Sequence, residues 1–115
     1  MPTLTRVALS TVDGELKPAG QRAGADSGDP QLRTLALPTG SDAAIGVWEC
    51  EPGGWEVLNR PNTETFTVLS GSAVLTDYDT QEQTTISAGD LIILPPGWSG
   101  RWDVTETLRK AYSIF

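Results

Sequence analysis

With no histidine and a single cysteine in 115 residues, any chemistry of this chain falls to carboxylates, lysine amines and tyrosine hydroxyls. No imidazole is present to act as a general base, complete a Ser-His-Asp triad or hold a transition metal. One thiol makes neither an internal disulfide nor a cysteine cluster for zinc. Glu49 and Glu51 flank Cys50 and would raise its pKa, so nothing marks it as a nucleophile. Glu64 is the carboxylate of interest. On an extended run from Glu64 to Leu69, alternation puts Phe66 and Val68 on its face, and a carboxylate among apolar groups is costly unless paired or neutralised. Paired, it is structural, with Arg101, Arg109, Lys110 or a tyrosine hydroxyl as partner. Unpaired with a raised pKa, it is a polar anchor or a general acid/base. Lys110 and Tyr112, two residues apart, share one face of the last apolar run, with Arg109 and Ala111 on the other. Such a pair can bind an anion or exchange protons. The commoner arrangement, preferred here, is a lysine stem packed on the ring with its head in water.

The elements that carry these residues are short. Twelve glycines and eight prolines are spread through the sequence, and no window shows a helical stripe of useful length. Short apolar runs between turn signals predict an all-β protein. Strands are expected at Gln31–Leu37, Ala44–Glu51, Glu64–Leu69, Ser72–Thr76, Gln83–Ser87, Leu91–Leu94, Gly100–Val104 and Arg109–Phe115. Ser70-Gly71 reads as a tight turn that makes Glu64–Thr76 a hairpin. Residues 1–30 read as an irregular N-terminal arm with one edge strand at Arg6–Ser10, and residues 31–115 as a single β-barrel domain. Eight Lys and Arg against fifteen Asp and Glu leave a net charge of −7, which argues against nucleic acid as a partner. No stretch is long and apolar enough to span a membrane and no secretory leader is visible. The expectation is a soluble, cytoplasmic protein.

Two spacings carry a resemblance. Glu64 is followed by six residues and Gly71; Gly89 is followed by five residues, Pro95, one residue and Gly97; 17 residues separate Gly71 from Gly89. Over residues 44–115 the chain resembles the cupin superfamily. It is most similar to the small single-domain group related to ureidoglycine aminohydrolase cupins, in Gly46-Val47-Trp48-Glu49-Cys50, Gly89-Asp90, Pro95-Pro96-Gly97, Gly100-Arg101-Trp102-Asp103-Val104 and Arg109-Lys110-Ala111-Tyr112. The resemblance implies a jelly-roll barrel (a double-stranded β-helix). It also implies a metal held by three histidines and a glutamate. Here the histidine positions fall on Val57 and Asn59, or Leu58 and Arg60, and on Gly100, and only Glu64 remains. No metal and no other cofactor is therefore expected, with a hard cation on Glu64 and Asn59 as the minor alternative.

If Gly100 marks the vacant ligand position, Trp102 and Val104 point inward. Trp102 then either fills the core or walls a pocket. Trp55 and Trp98 follow glycines, so they are placed at strand ends, near the mouth of a barrel, either to stack on a ligand or to pack as a lid. Tyr78 is expected in solvent. Three functions stay open. The first is a metal-free cupin that binds a small molecule through Glu64, Phe66, Trp98, Trp102, Lys110 and Tyr112. The second is a metal-independent isomerase, lyase or hydrolase with Glu64 as its catalytic acid/base. The third is a closed barrel with a structural or regulatory role. Exposed edge strands make a homodimer the expected assembly.

Overall fold

The computed structural model describes residues 2–115. One helical turn, α1 (Leu9–Val12), precedes nine strands: β1 (Lys17–Gln21), β2 (Ala25–Gly28), β3 (Gln31–Leu37), β4 (Ala44–Cys50), β5 (Gly53–Val57), β6 (Glu64–Asp77), β7 (Gln83–Ser87), β8 (Leu91–Leu94) and β9 (Gly100–Ile114). All pairings are antiparallel, and the spine is β6 against β9 along almost their whole lengths. The first part of β6 takes β8 on its other side and the second part takes β7. β9 pairs with β5 through Gly100–Val104 and with β4 through Leu108–Ile114. Both long strands thus belong to two layers, β1-β3-β4-β9-β6-β8 and β2-β5-β9-β6-β7, which close over one core. This is a jelly roll, as expected.

The bend that lets one strand serve two layers is written into β6. Its buried residues are Glu64, Phe66 and Val68, then Ala73 and Leu75. The inward phase passes from even to odd positions where the pairing register slips, between Val68 and Ala73. An irregularity of this kind turns a strand's face without ending it. Gly71 sits in the slip at φ +82°, and a Cβ there would lie 2.0 Å from the carbonyl oxygen of Thr107. Glycine is required at this point on both counts. β9 holds one phase throughout, burying Gly100, Trp102, Val104, Leu108 and Lys110.

Several expectations are corrected. The Ser70-Gly71 hairpin is a bend inside the continuous strand β6, and the two strands expected at 100–104 and 109–115 are the single strand β9. β5 had not been expected, because Gly53 and Gly54 mask its beginning. The N-terminal segment has no strand at Arg6–Ser10; α1 begins there, and the strands lie further on, as β1 against β3 and β2 against β5. β1 exposes all five of its residues, so it lacks the alternation by which strands are recognised; it is held by backbone pairing to β3 and by a side-chain hydrogen bond from Gln21 to Asp29. No helix among the described residues is long and apolar enough to cross a membrane.

Candidate functional site

Cross-strand register assembles the site. Lys110 on β9 lies opposite Trp48 on β4, Trp102 on β9 opposite Trp55 on β5, and Phe66 on β6 opposite Tyr112 on β9. Three indoles and one phenyl ring therefore converge. Trp55 and Trp102 stack at 5.7 Å, Trp48 meets both edge-on, and Phe66 lies tilted 5.4 Å from Trp102. The Lys110 ammonium projects among these rings, 4.4 Å from the centroid of Trp48, 4.5 Å from Phe66 and 4.7 Å from Trp102. Ring faces attract a cation, and more so where water is excluded.

Glu64 completes the arrangement. Lys110 donates to its Oε2 at 2.7 Å, and both side chains are buried. Arg60 reaches its Oε1 at 3.3 Å. The Arg60 loop is pinned from below: its backbone N–H donates to the Trp98 carbonyl, Gly97 N–H donates to the Arg60 carbonyl, and the guanidinium also bonds Asn62. Burial pushes the Lys110 pKa below its ordinary value, with Glu64 opposing. Tyr112 is pushed up, by burial first and by the Glu64 charge second.

Above these groups is a cavity of about 280 Å³. It is walled by Trp48, Trp55, Trp102 and Tyr112, with Val57 and Ile114 at its sides and Arg22, Arg60, Glu64 and Lys110 as its polar groups. Its size is at the small end for a ligand pocket. Tyr112 has room because Gly46 faces it: a Cβ on Gly46 would come within 2.8 Å of the Tyr112 hydroxyl.

Of the residues named from sequence, Glu64, Trp102, Lys110 and Tyr112 meet at this cavity, and Phe66 lies beneath it against the Lys110 ammonium. Trp98 does not. Its Nε1 donates to Asp77 at 2.7 Å, and the ring lines a separate hollow with Leu75, Ile86 and Leu94. Trp55 is not a mouth residue but a core indole, 2 % exposed. The Lys110 head is in the ion pair and not in water. Tyr78 is half-buried and donates to Glu56. Arg22 had not been singled out, Arg60 had been named only as an alternative histidine position, and Trp48 reads from the sequence as a core or sheet-interface residue and not as a pocket wall. Trp48 is two residues before Cys50 on an alternating strand, and that spacing was its only signal. Cys50 is fully buried, and desolvation lifts its thiol to about 12.

The model of the EutQ-like cupin domain matches residues 39–112. The chain belongs to that cupin family. Among solved structures this cupin is similar to a protein of unknown function from Pseudomonas syringae pv. tomato, with TM-score 0.79 and 25% identity over 90% of this chain and 46% of that one. It thus spans less than half of that protein's length. It is similar also to a putative ethanolamine utilization protein Q from Salmonella typhimurium, with TM-score 0.67 and 21% identity over 89% and 98% of the two chains. The polyketide cyclase RemF from Streptomyces resistomycificus superimposes with TM-score 0.71 and 20% identity over 97% and 79%. The last two likenesses bear on the fold alone. No curated protein matches the sequence.

The metal that the wider superfamily implies does not suit the donors at Glu64. Both carboxylate oxygens are committed, one to Lys110 and one to Arg60, and those two cations repel a third. Asn59 is exposed, is not part of the cavity wall, and turns its side-chain oxygen toward Gly97. No cluster of three His, Cys, Asp or Glu side chains occurs among the described residues. What the arrangement can do is hold a flat molecule against indole walls beside fixed charges.

Proposed function

We propose that this cupin binds a small organic molecule in the cavity over Glu64, Lys110 and Trp102, without a metal ion. The observation that carries the reading is the coexistence, in one cavity of about 280 Å³, of three indole walls and the Arg60–Glu64–Lys110 ion triad. Apolar walls with a few fixed polar groups are the usual make-up of a ligand site. A barrel closed by Trp102 would leave no such space. Because the indoles line the cavity, their fluorescence reports occupancy. Titration with small sugars, ureides and organic acids is expected to produce saturable quenching by at least one class. That quenching is lost in Lys110→Met and kept in Trp98→Phe. Quenching that survives Lys110→Met, or none from any class, defeats the reading.

A catalytic reading has one observation in its favour: Glu64 has a convergent polar partner within hydrogen-bond reach, the Lys110 amine. Turnover of a bound compound would support it, with Glu64 as acid/base. Kinship to the ureidoglycine aminohydrolase cupins would bring nitrogen-metabolite hydrolysis, but that chemistry relies on the ligands replaced at Val57 and Asn59, or Leu58 and Arg60, and at Gly100, and no step is derived from it. For assembly we propose a homodimer through the free edge of β8, whose Leu91 and Ile93 are 67% and 63% exposed. Mass measurement in solution tests it.

A further inference from the structure

The charge balance of the cavity is opposite to that of the whole chain. The protein carries −7 overall, yet Arg22, Arg60 and Lys110 surround the cavity against a single carboxylate, Glu64. Arg60 and Lys110 share that carboxylate, which leaves Arg22 without one. Among the described residues its guanidinium makes one hydrogen bond, from Nη1 to the neighbouring Ala23 carbonyl, and it has no acidic partner.

Arg22 is nonetheless held in place. It opens a tight turn in which Ala25 N–H donates to the Arg22 carbonyl and Gly24 takes φ +77°, a conformation suited to glycine. Arg22 N–H donates to the Pro30 carbonyl. The guanidinium lies 5.0 Å from the Trp55 centroid and is half-buried, and burial depresses its pKa. A stacked, partly desolvated guanidinium keeps a fork of N–H donors matched to a carboxylate.

Building on the binding role proposed above, we infer that the ligand is a small, flat organic acid whose carboxylate pairs with Arg22 while its unsaturated body packs on the indole walls. Flatness follows from the walls: Trp48, the partly exposed indole, stands across the buried stack of Trp55 and Trp102, and an aromatic surface favours planar, polarisable partners. The carboxylate follows from the fork and from the excess of positive charge.

Benzoate is the probe, with benzamide as its uncharged isostere and acetate and inorganic phosphate as anions without the flat body. Tryptophan fluorescence of the full chain is titrated with each. Benzoate is expected to bind roughly tenfold or more tightly than benzamide, acetate or phosphate. Arg22→Gln should weaken benzoate by roughly tenfold or more, and Arg22→Lys should restore part of the loss. Arg33→Gln, at an exposed arginine on β3, should change nothing. Arg22 is on a turn, and unchanged thermal melting of its variants establishes that the fold is kept. Equal binding of benzoate and benzamide, benzoate affinity indifferent to Arg22→Gln, or a preference for phosphate overturns the inference. Binding of neutral sugars or ureides with none of benzoate removes the acid but leaves the pocket. Silence from every compound removes both.

Discussion

The Glu64–Lys110 pair should be worth far more to one partner than to the other. Lys110 Nζ lies 2.7 Å from Glu64 Oε2 and Arg60 3.3 Å from Oε1, so at an effective dielectric near 20 each contact is worth about 5–6 kcal/mol before desolvation is subtracted. Glu64→Gln removes both. Arg60 retains Asn62 as a partner, but the buried Lys110 ammonium keeps at most a neutral amide oxygen beside the ring faces, and a cost of about 3–4 kcal/mol follows. Lys110→Met is milder. Glu64 keeps Arg60, and the thioether fits among Trp48, Phe66 and Trp102, so the cost should be about 1–2 kcal/mol. In the double variant no buried ammonium remains, and the total should fall about 2–3 kcal/mol short of the sum of the singles. Urea unfolding at pH 7, followed by tryptophan fluorescence, measures all four corners of the cycle. Costs that add within about 0.5 kcal/mol, or a Lys110→Met loss as large as that of Glu64→Gln, would refute the argument that Glu64 is what makes the buried lysine tolerable.

Gly71→Ala should destabilise the protein by about 3 kcal/mol or more, since it combines positive φ with a Cβ placed 2.0 Å from a backbone oxygen; a loss under about 1 kcal/mol in the same unfolding assay would contradict the bend described for β6. Cys50 predicts a pH dependence. Its folded pKa, about 12 against an ordinary 9.0, lies above the unfolded one, so the folded thiol stays protonated while the unfolded thiol ionises. Its contribution is present in full below pH 9 and is lost as pH rises toward 12. Between pH 9 and 10 the wild type should lose about 1 kcal/mol more than Cys50→Ala, and equal losses would remove the thiol as the cause.

Much of the scaffold was legible before any coordinates. Pro95-Pro96-Gly97 stops β8 and Gly89-Asp90 starts it because such residues leave few backbone choices, and those choices are local. Alternation likewise put Glu64, Phe66 and Val68 on one face and paired Lys110 with Tyr112. Reading Gly71 as a chain reversal failed because positive φ is shared by hairpin turns and by bulges; which one forms depends on β9, a strand that begins 29 residues later. The site was legible in part: Lys110 was among the partners named for Glu64 and is one that it takes, but the lysine head looks solvated when only its own strand is considered, because that carboxylate is 46 residues away. Arg22 lay in a stretch without hydrophobic pattern and gave no sign that its turn folds back over Trp55. Trp98 was misjudged for a related reason: following a glycine says that a residue leaves a turn, not which end of the barrel the turn closes.

The sharing of β9 between both layers has a consequence for synthesis. β4 emerges early, yet its partner across the sheet is Leu108–Ile114, and β5 waits for Gly100–Val104. Until β9 has been made, β4 has only β3 and β5 has only β2 for a partner, and Trp48, Trp55 and Phe66 lack the strand that completes their packing. Folding is therefore expected to be slow, as pairings between distant segments are, and the chain without β9 is a natural client for chaperones.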